Sequence, residues 1–573
     1  MTVDPITLEV LNNRLRETVS TMEHLLFHSG YSTVLRESYD GSAGICDRTG
    51  ATVMASGSPY HMVAYIACVR GVLRNYTIEQ MREGDSFALT DPYLGGSFHV
   101  PDLAIVTPAY VKGEVIAFCV SIAHKTDVGG LVPGSLGAGS REIFHDGLLL
   151  PGVRYWTKDG VVKEVEAIVR RNSRAPDAVA GDIRAQVGCT RTGANHLLAL
   201  CNEYSVPTVV AAFAQLQNIS EQRVRKLLLA WPDGESEAEG WIDHDGVDLD
   251  QPLRMHARLI KRGDELTVDF SGMNAQVKGP VNLRPQHSET AACLALLAYA
   301  DPTVSINQGV MRPLHLINPE GRITNAKWPA TINSYYGMMH LVYSVIQKAF
   351  VHFDPTHAVA TVGFGSGALA SGFRNGHTGK STILYELMMN STGGTSRHDG
   401  TTPVQPMSQA SPNTPVEIIE SEYPMRVREH QWMVDRAGAG RFRGGPGYRK
   451  AYQVLEDSVV TVRCGHQFKY PGWGVLGGAS PPTPQVWLQS EGNPDRQLGP
   501  LQTLSLKGGD TLYFDMPGGG GYGDPATRDP DLVLSDVLNG FVSVDAAREV
   551  YRVSVDAAAG RVDAGETAKL RAA

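Results

Sequence analysis

The stretch DPYLGGSFHVPDLAIV (91–106), with SIAHKTDVGG (121–130) shortly after it, is the part of the sequence from which the rest can be read. It contains two H-x-x-D boxes, His99-Val-Pro-Asp102 and His124-Lys-Thr-Asp127. Pro101 disfavours a helical conformation at Val100, so the first box is a loop, entered through Gly95-Gly96. Between the boxes, LAIVTPAYV and VIAFCVSIA are β-rich runs joined by KGE, which predicts an antiparallel hairpin over 103–123. A short turn brings residue 124 back beside residue 102. Two imidazoles and a carboxylate therefore converge without any assumed long-range contact.

That donor set suits a borderline or moderately hard divalent ion, Zn, Mn or Fe, rather than Ca or Mg. A fourth ligand is available in ESYD (37–40), with Asp40 preferred over Glu37. The same residues also have a plainer use, because histidines can close strands and aspartates can satisfy turn amides. Spacing alone leaves both uses open. Of the other histidines, His61 in SPYHMVAY reads as a hydrogen-bonded core residue. His145 is placed to face the same cavity, and His315, between Leu314 and Leu316, is expected in a core.

Working outward, residues 4–30 predict one amphipathic helix, with Asp4 as cap, Pro5 in the first turn and Leu8, Leu11, Leu15, Val19, Met22 and Leu26 on one face. Residues 43–56 read as a hairpin, 182–230 as consecutive helices, 255–270 as a hairpin and 288–300 as a buried helix. Residues 330–350 and 379–392 also read as helical. From about 415 to 525 short β-rich runs alternate with Gly/Pro turns, and an Ala-rich helical tail follows. The fold expected is α+β in three regions. These are a mixed region with the candidate site (1–180), a mixed, helix-rich middle (181–415) and a β-rich region with a helical tail (416–573).

The chain has 573 residues and a formal charge of -9, so bulk electrostatics does not draw it to nucleic acid or anionic lipid. Seven scattered cysteines without a C-x-x-C predict reduced, buried thiols rather than a disulfide framework. The opening MTVDPITLEV has no leader-like pattern, and no window approaches the roughly 18 apolar residues of a membrane helix. A soluble, cytoplasmic protein is expected. HTGKST (377–382) resembles the end of a phosphate-binding loop, but Arg374 stands where G-x-x-x-x-G-K-S/T needs glycine. A turn capping the next helix is the expected reading there. The run PGGGGYGDP (517–525) offers either backbone amides to an anion or a flexible turn. Nothing else resembles a nucleotide site.

At the two boxes the sequence resembles the hydantoinase B/oxoprolinase family. Its NDPYxGGTHLPD motif is similar to TDPYLGGSFHVPD (90–102), and its HxADxGG box to His124-Lys-Thr-Asp127-Val-Gly-Gly. APDAVAGDIRAQVGCTRTG (175–193), AGAGRFRGGPGYRKAY (437–452) and the Gly-rich run near 520 extend the resemblance along nearly the whole chain. Thr90, Ser97-Phe98 and Lys125 depart from the family pattern but leave the candidate ligands intact.

The resemblance implies a divalent metal (Zn or Mn, or else Fe) held by His99, Asp102, His124 and Asp40. Asp127, three residues beyond a candidate ligand, is the candidate proton acceptor or the group that orients an imidazole. The resemblance also implies a hydantoinase A-type ATPase partner, which binds ATP with Mg, in a hetero-oligomer such as A2B2. The activity implied is ATP-dependent opening of a cyclic amide (hydantoin, 5-oxoproline or lactam). A ketone carboxylase using bicarbonate, or a non-catalytic scaffold, are the alternatives. Arg184 and Arg312 are candidates for binding phosphate or carboxylate, or else structural arginines.

Overall fold

The computed structural model describes residues 2–57, 59–300, 303–364, 367–374, 381–402, 404, 407 and 412–572. Its first sheet contains β1 (Gly41–Asp47), β2 (Thr52–Gly57), β3 (Ser86–Leu89), β4 (Asp102–Val111), β5 (Glu114–His124), β6 (Pro151–Thr157) and β7 (Gly160–Val161). The strand order is β2-β1-β5-β4-β3-β6-β7. The hairpin expected between the two boxes is the β4–β5 pair, and Asp102 lies directly opposite His124 in its register. β1 flanks β5 on its other side with Gly41 opposite Ala123, so Asp40 arrives at the same end of the sheet.

These strands read as continuous apolar runs because both faces of the sheet are covered. Leu103 and Ile105 pack on the helix Pro176–Tyr204 through Val179, Ile183 and Val187. Ala104 and Val106 face the opposite core, which includes the helix Met62–Asn75. Side chains of a strand alternate in this way, which is why consecutive residues belong to different cores. Gln186, on the first of these helices, donates to the carbonyls of Leu103 and Ser121 at 2.9 and 3.1 Å, tying the helix across both strands. The N-terminal helix Pro5–His28 begins where Asp4 accepts from the amides of Ile6 and Thr7. It buries Leu11, Leu15, Val19, Met22 and Leu26, each such side chain contributing about 2 kcal/mol.

The helices Pro176–Tyr204 and Val206–Ala230, the hairpin Leu253–Arg262/Glu265–Asp269 and the helices Pro285–Leu297 and Tyr335–Phe350 follow the expected order. Two expectations fail here. His315 is not in a core: it lies on the edge strand Leu314–Ile317, half exposed, 3.3 Å from Glu265. Leu314 takes the inward position of that strand, so its neighbour points out. Residues 381–388 are not helical but form the strand Ser381–Met388, paired along its length with Gly367–Arg374. Leu, Glu and Met favour helix, but here pairing with the neighbouring strand and burial of Ile383, Leu384 and Tyr385 override that preference.

Gly367–Arg374 also pairs with Ser458–Cys464, which pairs in turn with Leu501–Leu506. The expected division at 415 therefore runs across a four-stranded sheet, and the division at 180 falls inside the helix Pro176–Tyr204. A five-stranded sheet of Met425–Met433, Gly447–Val454, Thr511–Met516, Gln485–Gln489 and Arg496–Leu498 completes the β-rich part. The tail holds the short helices Pro530–Leu538, Val544–Glu549 and Ala564–Ala572. All seven cysteines are buried and free. Among the described residues no single helix is long and apolar enough to cross a membrane.

HTGKST lies mostly outside the described residues; its last two residues open the strand Ser381–Met388, not a helix. The four glycines 518–521 form neither a flexible turn nor an anion cradle. They are buried, and their N–H groups donate in order to the carbonyls of Arg436, Gly445, Thr361 and Ala479 at 2.6, 3.0, 2.9 and 2.9 Å. A Cβ on Gly519 would stand 1.9 Å from the Thr392 carbonyl oxygen, and one on Gly521 1.9 Å from that of Ala439. Only backbone without side chains fits this crossing.

Candidate metal centre

His99 reaches the site on a loop whose shape depends on Gly96. That glycine has φ 71°, and a Cβ there would lie 2.0 Å from the Cβ of Ala67 on the helix Met62–Asn75. The turn closes as the Asp102 amide donates to the His99 carbonyl at 3.0 Å. On the β1 side, Tyr39 takes a left-handed φ of 52°, and the next residue, Asp40, accepts the His124 amide on its carbonyl at 3.1 Å.

Three side chains meet where these segments end. Nε2 of His99, Oδ1 of Asp102 and Nδ1 of His124 form a triangle with sides of 3.2 Å. All three residues are almost fully buried. Ligand atoms that share one ion at bond lengths of about 2.0–2.2 Å lie about 2.8–3.6 Å apart for angles between octahedral and tetrahedral. The triangle fits such an ion. His99 Nδ1 lies 3.2 Å from the Asn333 carbonyl, so its proton belongs there and Nε2 presents a lone pair to the triangle. Tyr335 donates its hydroxyl to Asp102 Oδ2 at 3.1 Å, leaving Oδ1 for the shared position.

The electrostatics agree with a cation site. Burial by itself would raise the Asp102 carboxyl, but the two imidazoles outweigh it and hold it well below the usual carboxylate range. Burial lowers the His124 pKa against the pull of Asp102, which favours the neutral ring that can donate a lone pair. Asp40 stands outside the triangle but lines the same cavity as the two imidazoles. Burial is the main reason its pKa is pushed up to about 6, opposed by His124 and by the Tyr60 hydroxyl that donates to it at 3.2 Å. Glu37 turns instead to Arg36 at 2.7 Å.

Asp127 is placed differently from its expected role. Its carboxylate accepts from the amides of Gly129, Gly134 and Arg174 at 3.1, 3.0 and 2.8 Å and from the Arg174 guanidinium at 3.0 Å. With both oxygens engaged it organises the 127–135 loop, and it does not line the cavity. His61 is a buried residue held by Ser42 Oγ at 2.7 Å, and burial lowers its pKa to about 4. His145 faces outward, accepting the Arg141 amide at 3.1 Å. Arg184 pairs with Glu166 at 2.6 Å and Arg312 with Glu221 at 2.8 Å. Neither lines the cavity.

Sequence reading missed Tyr60, Asn333, Tyr335, Tyr385 and Arg463. Tyr385 lies against His124 with ring centroids 4.1 Å apart, and Arg463 donates to the Asn333 carbonyl at 2.8 Å. Tyr60 adjoins His61, which the sequence does single out, but the other four carry no spacing signal and come from segments more than 200 residues away from the boxes.

Residues 4–525 match the family model described as hydantoinase B/oxoprolinase. A provisionally named D-/L-hydantoinase subunit of Pseudomonas sp. (strain NS671) is 31% identical, over 96% of this chain and 95% of its own. The beta subunit of the caprolactamase of Pseudomonas jessenii is 29% identical with both chains fully covered. The crystal structure of the ATP-dependent caprolactamase from that organism superposes with a TM-score of 0.91 over the whole of both chains, at 28% identity. The acetophenone carboxylase delta subunit of Aromatoleum aromaticum is 25% identical, over 93% of this chain and 84% of its own. Hydantoinase and lactamase subunits and a ketone carboxylase subunit are thus similar to it in sequence, and the chain belongs to the hydantoinase B/oxoprolinase family.

Proposed function

We propose that the chain is the metal-bearing subunit of an ATP-dependent amidohydrolase that opens a cyclic amide, a hydantoin, 5-oxoproline or lactam. In this reading it works in the cytoplasm in a hetero-oligomer, on a substrate activated by a hydantoinase A-type ATPase. The observation that supports it is the buried triangle of His99, Asp102 and His124, whose two imidazoles line a cavity. The end-to-end similarity to a hydantoinase subunit and to the beta subunit of the caprolactamase supports a cyclic amide, hydantoin or lactam, as the substrate.

His99, Asp102 and His124 hold the ion, and Asp40 stands ready beside them. Zn, Mn or Fe suits this donor set, and when bound it supplies Lewis acidity to a water or carbonyl oxygen in the cavity. Tyr335 keeps Asp102 turned toward its two imidazoles, and the Asn333 carbonyl holds the His99 proton on Nδ1. Asp40, a carboxylate in the cavity wall beside the three ligands, is suited to take a proton from the attacking water and return it to the leaving nitrogen. Asp127 acts at a distance, by fixing the loop that follows His124. Tyr60 and Tyr385 line the cavity beside Asp40 and the imidazoles.

A carboxylase of ketones is the second reading, favoured by the similarity to the acetophenone carboxylase delta subunit; the same Lewis acid would then stabilise an enolate. The test is elemental mass spectrometry on the full chain and on His124→Ala, followed by ATP-dependent turnover of the assembled complex. Near-stoichiometric metal in the wild type, lost in the variant, with opening of a lactam or hydantoin, is the expected outcome. Turnover of ketone with bicarbonate instead would select the carboxylase. A metal-free wild type that cannot be reconstituted would leave only a scaffold role.

A further inference from the structure

Six cationic side chains are at least nine-tenths buried among the described residues: Lys125, Lys261, Arg443, Lys450, Arg463 and Arg528. Four have a carboxylate partner. Lys261 pairs with Asp233 at 2.8 Å, Arg443 with Asp536 at 2.8 Å, Lys450 with Glu386 at 2.9 Å and Arg528 with Asp399 at 2.7 Å. Lys125 and Arg463 have none within 4.0 Å among the described residues. Lys125 rests its ammonium on the Ala123 carbonyl at 3.1 Å, away from the cavity. Arg463 lines the cavity itself.

A buried guanidinium without a counter-ion is strongly unfavourable unless a ligand supplies the missing charge. The protein partners of Arg463 are neutral: Nη1 donates to the Asn333 carbonyl at 2.8 Å and Nη2 to the Tyr385 hydroxyl at 3.3 Å. A guanidinium has five N–H groups, so these two bonds leave donors over. The cavity's own carboxylates are engaged elsewhere, Asp102 by Tyr335 and the two imidazoles, Asp40 by Tyr60. Arg463 also sits one residue from each imidazole ligand. It shares the Asn333 carbonyl with His99, and its Tyr385 partner lies against His124.

We propose that Arg463 is the anion-recognition residue of this cavity and binds an oxyanion of the substrate, a carboxylate or a phosphoryl group, beside the metal ligands. The planar fork of a guanidinium matches either group through two parallel hydrogen bonds. Leu387, Met388 and Met389 on the cavity wall are left for the hydrocarbon part of the same molecule. The inference takes its location from the proposed metal centre.

The experiment uses the full chain, metal-loaded, with metal content measured for each sample. Calorimetric titrations are run with acetate, with inorganic phosphate and with neutral 2-pyrrolidinone on wild type, Arg463→Met and Arg463→Lys. The expected result is binding of at least one anion that weakens tenfold or more in Arg463→Met and less in Arg463→Lys. Binding of 2-pyrrolidinone is expected to stay unchanged. A loss confined to acetate identifies a substrate carboxylate, and a loss confined to phosphate identifies a phosphoryl group. Equal anion binding in wild type and Arg463→Met, or none in wild type, overturns the proposal. Loss of metal in both variants also overturns it and makes Arg463 a positioning residue of the ligands. A wild type that takes up no metal is instead the failure of the metal-centre reading.

Discussion

The histidine–aspartate cavity and the glycine seam at 518–521 are both buried and both rich in polar atoms, yet they are built on opposite terms. In the seam each of the four glycine amides meets a backbone carbonyl at 2.6–3.0 Å, and a methyl group on Gly519 would strike the Thr392 oxygen. Nothing is left over to bind a ligand. In the cavity His124 Nε2 has no hydrogen-bond partner, Arg463 has no counter-ion among the described residues, and burial pushes the Asp40 carboxyl up to about 6. From the sequence alone the seam reads either as an anion cradle or as a flexible turn. Unfilled hydrogen-bonding capacity, rather than glycine content, marks the place where a ligand belongs.

That contrast can be broken most severely in the seam. Gly519→Ala forces a Cβ to 1.9 Å from a backbone oxygen that cannot swing away, and is expected to cost more than about 3 kcal/mol. Soluble yield and the urea midpoint would read it. A variant with an unchanged midpoint would mean that the crossing is loose rather than close-packed.

In the cavity the largest effect should fall on the ligand and not on the fold. His124→Ala is expected to drop metal content from near-stoichiometric to trace while its thermal midpoint stays near that of metal-free wild type. A variant that keeps its metal would remove His124 from the ligand set. Tyr335→Phe takes away only the hydroxyl that turns Asp102, and chelator competition should show metal affinity weaker by about 10- to 100-fold. Undiminished affinity would reduce Tyr335 to packing.

The smallest effect lies beneath the cavity. Asp146, buried and bonded to Thr331 and Asn333, has its pKa raised to about 6 from 3.8, chiefly by burial. The native state therefore holds this proton to a higher pH than the unfolded chain does. The burial cost is present above about pH 6 and is relieved as the pH falls through that value. Wild type should gain about 1 kcal/mol between pH 7 and pH 5 relative to Asp146→Asn, read from paired denaturation curves. Parallel curves would show that Asp146 is ionised throughout.

How much was legible in the sequence depends on how far apart the interacting residues lie. Asp102 and His124 are joined by a tight hairpin that brings them side by side, and a one-residue register shift between Ala109 and Tyr110 sets Asp102 directly opposite His124. Asp127 shares the same box, yet the three residues after His124 turn its side chain toward Arg174, a partner the box does not encode. The strand Ser381–Met388 was read as helix because its residues favour helix locally. The missed strand is the one that carries Tyr385 to His124 and to Arg463. One wrong element thus hid a wall of the site.

By itself the sequence determined the hairpin, the capped N-terminal helix, the paired helices of the middle and the convergence of two imidazoles and a carboxylate. Each of these follows from local periodicity, capping or a short turn, whose energetics act over a few residues. Only the tertiary structure decided that Tyr335 would orient Asp102, that an unpaired Arg463 would enter the cavity, and that four glycines would be buried as a crossing. Those outcomes depend on which segments pack together, and burial, not sequence proximity, sets the cost of leaving a polar group unpaired.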